Sequence, residues 1–253
     1  MKSLRVICLL LLTCVPLSSQ AAMAADSTPA PAFNWTGPYV GLHVGYGWGS
    51  GDTNFNPLPD PVSFGMPATK LTPHPSGVEG GIQAGYNYQM GCFVAGIEAD
   101  FSGAGMSGTR ITPAAVLSDG TQVPALSAHQ EINWFGTLRP RLGYTVTPNV
   151  LVYGTAGLAY GNVSSSANTD FRPILPTFAY YPASVSKTNV GWTAGGGIEY
   201  AISKCWSIKA EYLYMDLGSQ SAVGNPNLAI PYQVGYKWQT TANILNFGVN
   251  YRF

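Results

Sequence analysis

The chain has 253 residues, with twelve Lys and Arg against twelve Asp and Glu, and a formal net charge of zero. Charged residues make up 9% of it, against about 25% in ordinary soluble domains, which is too few to cover a water-exposed surface and excludes a typical cytosolic enzyme. Apolar residues make up 46%, yet beyond the extreme N-terminus no apolar run reaches the roughly 18 residues of a spanning helix, which excludes a helical membrane protein.

The N-terminus has the three parts of a secretory signal peptide. A positively charged start precedes a short apolar core over residues 7–17, and an A-x-A cleavage site ends at Ala24. We therefore predict an exported protein with three regions, which are a signal peptide over residues 1–24, a Pro- and Ala-rich linker over 25–35 and a domain over 36–253.

Eight segments with a period of two follow the linker, and such alternation predicts β-strands with two different faces. One face carries apolar and aromatic side chains, as Val40, Leu42 and Val44 do in the first segment, and the other carries small or polar ones. The eight segments cover residues 36–48, 77–90, 92–103, 130–144, 149–162, 190–202, 205–217 and 241–253.

Short and long connections alternate between these segments. Three connections are tight turns, whereas the four over residues 49–76, 104–129, 163–189 and 218–240 have roughly 23 to 28 residues, far above the 2 to 5 of a hairpin. In a meander this places all long loops at one end and all tight turns at the other. The pattern predicts an all-β fold, an eight-stranded antiparallel up-and-down transmembrane β-barrel with four long extracellular loops and short periplasmic turns.

The placement of charges decides which face of the barrel is outside, because a soluble barrel has the same period with its apolar face inward. All the charged residues within the segments, apart from Asp216 at one frayed end, share the face of Gly, Asn, Ser and Thr. A soluble barrel would then have an unusually neutral exterior, so we place the apolar face against lipid and the charged face in the lumen. The charged residues are Glu79, Glu98, Asp100, Glu131, Arg139, Arg141, Glu199, Lys209, Glu211 and Arg252.

An eight-stranded barrel is just wide enough for its own side chains to fill, and buried charges need partners. Counted from the tight-turn ends, Glu98 and Arg139 fall at about the same level on neighbouring strands. Pro140 faces lipid in this arrangement, and we expect a bulge or a missing hydrogen bond there. We predict a charge network that crosses and blocks the lumen, made of Glu98, Asp100, Arg139, Arg141, Glu199, Lys209 and Glu211.

Two cysteines remain after removal of the signal peptide, Cys92 and Cys205, each beside a tight turn. An oxidising periplasm permits a disulfide. The turns before the third and seventh strands lie on opposite sides of an eight-stranded barrel, however, and a disulfide needs Cα atoms within about 7 Å. The sequence leaves a Cys92–Cys205 bond open.

The three histidines give little sign of chemistry. No catalytic motif surrounds His43, and His74 and His129 lack metal-ligand spacing. We therefore predict no catalytic, cofactor or metal site, and we keep haem binding or a membrane enzyme only as remote alternatives.

The sequence resembles the small outer-membrane β-barrel family related to the transmembrane domain of OmpA, in its porin-like, alphaproteobacterial branch. The resemblance rests on five spaced motifs, which are Trp35-Thr36-Gly37-Pro38-Tyr39-Val40-Gly41, Gly96-Ile97-Glu98-Ala99-Asp100-Phe101, Arg139-Pro140-Arg141-Leu142-Gly143-Tyr144, Lys209-Ala210-Glu211-Tyr212-Leu213-Tyr214 and Asn250-Tyr251-Arg252-Phe253. It implies a terminal aromatic signal, Tyr251 with Phe253, for the barrel-assembly machinery. The peptidoglycan-binding domain of full-length OmpA has no counterpart here, so no cell-wall tether is inferred.

The expected function is a structural or surface role in the outer membrane, with the long loops meeting extracellular partners. The expected surroundings are outer-membrane lipid and lipopolysaccharide, and no nucleic acid, because an exported barrel strand meets none. A narrow porin-like channel for small solutes is the alternative function.

Overall fold

The structure is a computed structural model that describes residues 33–59, 68–116, 118, 122–174 and 179–253. The predicted signal peptide and most of the predicted linker lie outside these residues. The strands are β1 (Gly37–Leu58), β2 (Thr69–Leu71), β3 (Ser76–Met90), β4 (Phe93–Thr112), β5 (Ala115–Val116), β6 (Gln122–Val123), β7 (Ala125–Thr147), β8 (Val150–Asp170), β9 (Tyr180–Ala201), β10 (Trp206–Gly224) and β11 (Gln233–Arg252). No helix in the described ranges is long and apolar enough to cross a membrane.

Eight long antiparallel strands form a closed barrel, in the order β1, β3, β4, β7, β8, β9, β10 and β11. The barrel closes because β11 pairs with β1 along its whole length, from Tyr39 opposite Arg252 to Leu58 opposite Gln233. Strand β2 adds three residues beside the upper part of β1, and β5 and β6 form a small separate hairpin. The predicted eight-stranded up-and-down barrel is confirmed.

The strands are longer than the sequence segments indicated. Strand β1 has 22 residues and β7 has 23, about twice the 9–11 residues that a transmembrane strand needs. Most of the residues predicted as long loops therefore continue the barrel wall, although the longer connections do lie at one end and the tight turns at the other. We call the turn end the lower half and the opposite end the upper half.

The two halves of the wall have opposite polarity. In the lower half of β8 the outward side chains are apolar, and Leu158 is 57% exposed. In its upper half the outward residues are Ser164, Ser166 and Asn168, while Val163 points inward and is fully buried. The lower half thus has the surface of a membrane barrel, and the upper half has that of a soluble barrel.

Strand β11 shows the same change between two adjacent residues. Ile244 points inward and is fully buried, whereas Leu245 points outward and is 39% exposed. Aromatic rings mark this level around the barrel, since Trp134 contacts Tyr160 with ring centroids 6.3 Å apart and Trp192 contacts Tyr214 at 5.3 Å. These rings form the upper rim of the lipid-facing belt.

The interior is filled by apolar clusters above and below a polar layer. A lower cluster near the turns contains Trp35, Val94, Leu151, Tyr153 and Ala201. A middle cluster above the polar layer contains Met106, Ile132, Phe135, Ala159, Val163, Leu213, Met215, Leu217, Ala242 and Ile244. An upper cluster contains Phe55, Leu71, Leu126, Ala128, Ala167, Phe171, Ala179, Tyr181, Val234, Tyr236 and Trp238.

A bulge in β7 corrects the predicted facing of two residues. The register with β8 shifts between Ile132 and Trp134, which reverses the inward and outward positions above that point. Ile132 is fully buried inside the barrel instead of facing lipid. Glu131 is only partly buried and is the one predicted lumen charge that takes an outward position.

The ladder around Pro140 agrees with part of the prediction. Pro140 pairs regularly with Ile97 of β4. On the β8 side the pairing stops after Leu138 and resumes at Arg141 in the same register, so pairing is interrupted without a bulge. The Thr155 hydroxyl donates a hydrogen bond of 2.9 Å to the carbonyl oxygen of Pro140, which satisfies a group left over by the interruption.

Candidate functional site

The lower lumen contains the seven charged residues that the sequence placed there. Pairing of β4 with β7 puts Glu98 opposite Arg139, and pairing of β9 with β10 puts Glu199 opposite Lys209. Each of the seven side chains is at most 8% exposed. The barrel also brings together residues that are distant in sequence, since Lys209 forms a hydrogen bond with Glu98, 111 positions earlier.

Arg139 joins three carboxylates from two sides of the barrel. Its Nη2 lies 2.9 Å from Glu98 Oε1, 3.0 Å from Asp100 Oδ2 and 3.1 Å from Glu211 Oε2. Its Nε donates a 2.8 Å hydrogen bond to the hydroxyl of Thr137. The three carboxylates therefore share the two N–H donors of Nη2.

Arg141 and Lys209 complete the network. Arg141 Nη2 lies 2.8 Å from Glu199 Oε2, and its Nη1 lies 3.4 Å from Glu98 Oε2. Lys209 Nζ lies 2.9 Å from Glu98 Oε1 and 3.7 Å from Glu211 Oε2. All three cations therefore contact Glu98, and the seven side chains form one connected network across the lumen.

Neutral residues that the sequence analysis did not assign to the charge network bind the remaining oxygens. The Tyr39 hydroxyl donates to Glu98 Oε2 at 2.6 Å, and the Tyr153 hydroxyl donates to Glu211 Oε1 at 3.0 Å. Ser207 and Asn250 donate to Glu199 Oε1 at 2.6 and 2.9 Å. All four occupy inward positions of their strands, so the alternation of inward and outward residues in the sequence could have placed them in the lumen. The arrangement is a buried polar core in which these carboxylates are paired, while Arg139 Nη1 and Arg141 Nε find no hydrogen-bond partner among the described residues.

The N-terminal segment before β1 closes the lower mouth of the barrel. Trp35 is fully buried, and its Nε1 donates a 3.2 Å hydrogen bond to the Pro148 carbonyl. The ring of Phe33 packs edge-on against Trp35 with centroids 4.7 Å apart. Arg252 donates a hydrogen bond to the Trp35 carbonyl and places its guanidinium 5.2 Å from the indole centroid. The barrel fold therefore includes Phe33 to Trp35.

His43 lies above the charge network in an arrangement unlike a catalytic triad. Its Nε2 is 2.7 Å from Ser102 Oγ and 3.4 Å from Glu79 Oε2. In a triad the Ser and the acid contact different ring nitrogens, whereas here both contact the same one, and all three residues are buried. In the upper half, His129 Nδ1 contacts the Thr109 hydroxyl at 2.8 Å. Among the described residues no group of three His, Cys, Asp or Glu is placed to hold a metal ion.

The disulfide that the sequence left open is not formed. Cys92 and Cys205 are both free cysteines, the first exposed and the second partly buried. The reason is topological, because β4 and β10, which follow these two residues, are separated by three long strands in either direction around the barrel. Their turns therefore lie on opposite sides of the lower mouth, too far apart for an S–S bond.

Comparison with known proteins identifies the family of this chain. A family model described as an outer membrane protein beta-barrel domain matches residues 8–253. The chain belongs to this outer-membrane β-barrel family. In barrels of this kind the short turns are periplasmic and the longer connections extracellular, so we expect the upper half of this chain at the extracellular end.

Relatives in the outer-membrane β-barrel family cover most of the chain. The 31 kDa outer-membrane immunogenic protein of Brucella melitensis is 37% identical over 92% of this chain and 94% of its own. The 22 kDa outer membrane protein of Rhizobium leguminosarum is 31% identical over 78% of this chain and 71% of its own. The protein is therefore an outer-membrane protein, as the exposed apolar side chains of its lower half indicate.

The barrel fold is also present in a solved structure with little sequence similarity. The outer membrane protease OmpT from Escherichia coli is 11% identical, with 90% of this chain and all of that chain covered and a TM-score of 0.50. This likeness concerns the fold alone.

The C-terminal aromatic residues lie on the lipid-facing surface of the family barrel. Tyr251 is 36% exposed and Phe253 is 73% exposed, and their rings meet edge to face with centroids 5.2 Å apart. Their role as an assembly signal stays a prediction.

Proposed function

We propose that the protein is a non-conducting structural barrel that projects from the outer membrane and presents its extracellular connections to partners outside the cell. The observation that carries this proposal is the filled lumen. A solute passing through would have to displace Trp35 at the periplasmic mouth, then the network around Glu98, and then the middle and upper apolar clusters. Separating the buried ion pairs would cost several kcal/mol for each ion left without a partner.

The proposal also assigns no enzymatic activity. His43, Ser102 and Glu79 are enclosed in the lumen, where a substrate in the membrane or outside the cell does not reach them. The relatives carry names of outer-membrane proteins, and those of Brucella are named immunogenic, which supports exposure of the upper half at the cell surface. The proposed partners are outer-membrane lipid and lipopolysaccharide, the barrel-assembly machinery during insertion, and extracellular molecules that meet the upper connections.

Conductance of a single barrel tests the closed lumen. Purified protein inserted into a planar lipid bilayer should give no steady channel steps in 1 M KCl, and liposomes containing it should not swell in a small sugar such as arabinose. A variant with the network emptied, with Glu98, Arg139 and Glu211 all replaced by Ala, should also stay closed, because Trp35 and the middle and upper apolar clusters still fill the lumen. Steady large conductance of the parent protein would overturn the proposal in favour of a narrow channel.

Surface presentation has its own test. A short epitope inserted after Leu228, in the connection between β10 and β11, should be labelled by antibody on intact cells, because Leu228 is 42% exposed at the upper end. The same epitope inserted after Ser203, in a lower turn, should be labelled only after the cells are opened. The reverse pattern would contradict the proposed orientation.

A further inference from the structure

One side of the extracellular wall is a polar surface rich in hydroxyl groups and formed by four neighbouring strands. The registers place Thr109, His129, Ser166 and Ser184 in one row across β4, β7, β8 and β9. The row beneath it contains Ser164 and Ser186 on β8 and β9 and, opposite Ser164, the acidic Glu131 on β7. We call the six neutral residues of these two rows the hydroxyl wall.

The hydroxyl wall contains two adjoining grooves. One has a volume of about 640 Å³ and includes Thr109, His129 and Ser184, and a second of about 210 Å³ includes Ser164 and Ser186. The grooves share His129, Ser166 and Ser184. The larger volume lies within the range of small-molecule sites in proteins, roughly 300–1,000 Å³.

The chemistry of the grooves matches neutral hydroxyl-bearing ligands. Their lining supplies hydroxyls, an imidazole and the Asn168 amide beside apolar groups such as Ile111 and Pro182, and among the described residues it includes no Lys or Arg. Anionic groups are normally held by such cations. The hydroxyls are already held in defined positions, since Ser164 Oγ lies 2.9 Å from Ser186 Oγ and Asn133 donates to Ser164 Oγ at 3.0 Å.

The height of the wall identifies what lies against it. Asn162 pairs with Trp134 at the upper rim of the lipid-facing belt, and Ser164 and Ser166 follow on the same outward face of β8. At about 3.3 Å per residue, the wall begins within roughly 15 Å of the rim. Head groups of the surrounding outer-leaflet lipids must occupy this level, and in an outer membrane these lipids are glycolipids.

The opposite side of the barrel differs at a comparable height. There the outward positions of β2 and β11 include Lys70 and Lys237. Lys70 Nζ lies 2.7 Å from Asp52 Oδ2, and a cation such as Lys237 suits phosphate groups. The two sides of the extracellular wall thus present different chemistry to one layer of head groups.

We propose that the hydroxyl wall binds the neutral sugars of the membrane's own outer-leaflet glycolipid and so fixes the rotational position of the barrel within the lipid layer. The inference rests on the proposed function, because it requires the upper half to project from the outer leaflet. Sugar hydroxyls exchange hydrogen bonds with Ser, Thr, Asn and His side chains, each of which donates and accepts.

The test uses the full barrel in detergent micelles and, as the probe, dephosphorylated core oligosaccharide released from lipopolysaccharide by mild acid. Backbone amide shifts on titration should be confined to residues 109–111, 127–129, 164–168 and 182–186. The variant Ser166→Leu/Ser184→Leu should bind at least tenfold more weakly. The control Ser221→Leu/Gln239→Leu, which changes outward residues of β10 and β11, should bind within twofold of the parent.

A second arm identifies the source of the sugar. In bicelles, the same amides should shift when lipopolysaccharide with core sugars replaces lipid A without them. The proposal is overturned if both double variants bind alike, if inorganic phosphate reproduces the shifts, or if lipid A alone does so. If it fails while the parent barrel remains non-conducting, the proposed function is unaffected.

Discussion

Replacing Arg139 by Met should destabilise the barrel more than any exposed substitution. The Arg139 guanidinium contacts Glu98, Asp100 and Glu211 within 2.9–3.1 Å and is 1% exposed. The network has four carboxylates and three cations, so removing Arg139 leaves four potential negative charges with two cations. Breaking a buried ion pair from one side costs about 3–5 kcal/mol, a large share of the roughly 5–15 kcal/mol that stabilises a folded protein.

A second variant separates this electrostatic reason from a simple packing defect. Arg139→Met/Glu211→Gln returns the network to three carboxylates and two cations, with the same excess as in the parent. It should therefore recover at least about 1.5 kcal/mol of the loss, in the range of couplings between contacting residues. The exposed control Lys237→Met should change stability by less than about 0.5 kcal/mol.

The assay is reversible urea unfolding of the barrel in lipid vesicles at pH 8, followed by tryptophan fluorescence and by gel mobility of unboiled samples. The reasoning is refuted if the double variant is as unstable as Arg139→Met or less stable, because the lost ion pairs would then not account for the effect.

The other predictions concern the two ends of the barrel. Trp35→Ala should cost about 3–5 kcal/mol in the same assay, because it removes a fully buried indole from the lower mouth; a change below 1 kcal/mol would show that the mouth does not depend on it. Trp238→Ala should speed amide exchange in the upper halves of the strands, because it removes a buried ring from the upper cluster. The lipid-facing belt should stay protected. Equal loss of protection in both halves would contradict the view that the two halves pack separately. Hydrogen bonds from Arg172 lower the pKa of Asp170. The ionised carboxylate should therefore hold the segment between β8 and β9 in place at pH values above the ordinary pKa of Asp. This stabilisation should be lost as the pH falls through the lowered pKa. Amide exchange near Arg172 measured between pH 6 and pH 2.5 checks this, and Arg172→Gln should remove the dependence.

The sequence predicted the lower half of the barrel well because there every strand keeps one parity. Apolar residues such as Val152 and Leu158 face lipid, and charged residues such as Glu98 and Arg139 take the opposite face. Because the chain has few charged residues, the position of each one in a strand indicated which face of that strand points into the lumen. Register followed from tight turns, which is why Glu98 and Arg139 could be placed at one level.

The upper half was predicted as loops because the apolar parity changes within the strands. In β8, Tyr160 faces outward but Val163 faces inward, and in β11 the change falls between Ile244 and Leu245. The alternation with apolar residues on the outward face therefore ends at the rim, although the strand continues beyond it. Two adjacent apolar residues, such as Ile244 and Leu245, could have indicated this level in the sequence. They mark the point where the apolar side chains of a strand change from facing lipid to facing the barrel interior.

The bulge at Ile132 and the position of Trp35 depended on tertiary structure. A one-residue irregularity reverses every facing beyond it, and local sequence does not specify where it falls. Trp35 was assigned to a linker because Pro and Ala surround it, whereas its burial depends on contacts with Pro148 and Arg252 that are distant in sequence.

The most direct test of the two-sided wall is a spin-label scan of the outward positions of β8. After Cys92 and Cys205 are replaced by Ser, a label is placed in turn at Val152, Leu158, Ser164 and Asn168 of the barrel in lipid vesicles. Collisions with oxygen should dominate at Val152 and Leu158, and collisions with a water-soluble nickel chelate should dominate at Ser164 and Asn168, with the change falling at the Trp134–Tyr160 rim. Oxygen-dominated collisions at all four positions would contradict an upper half that stands in water.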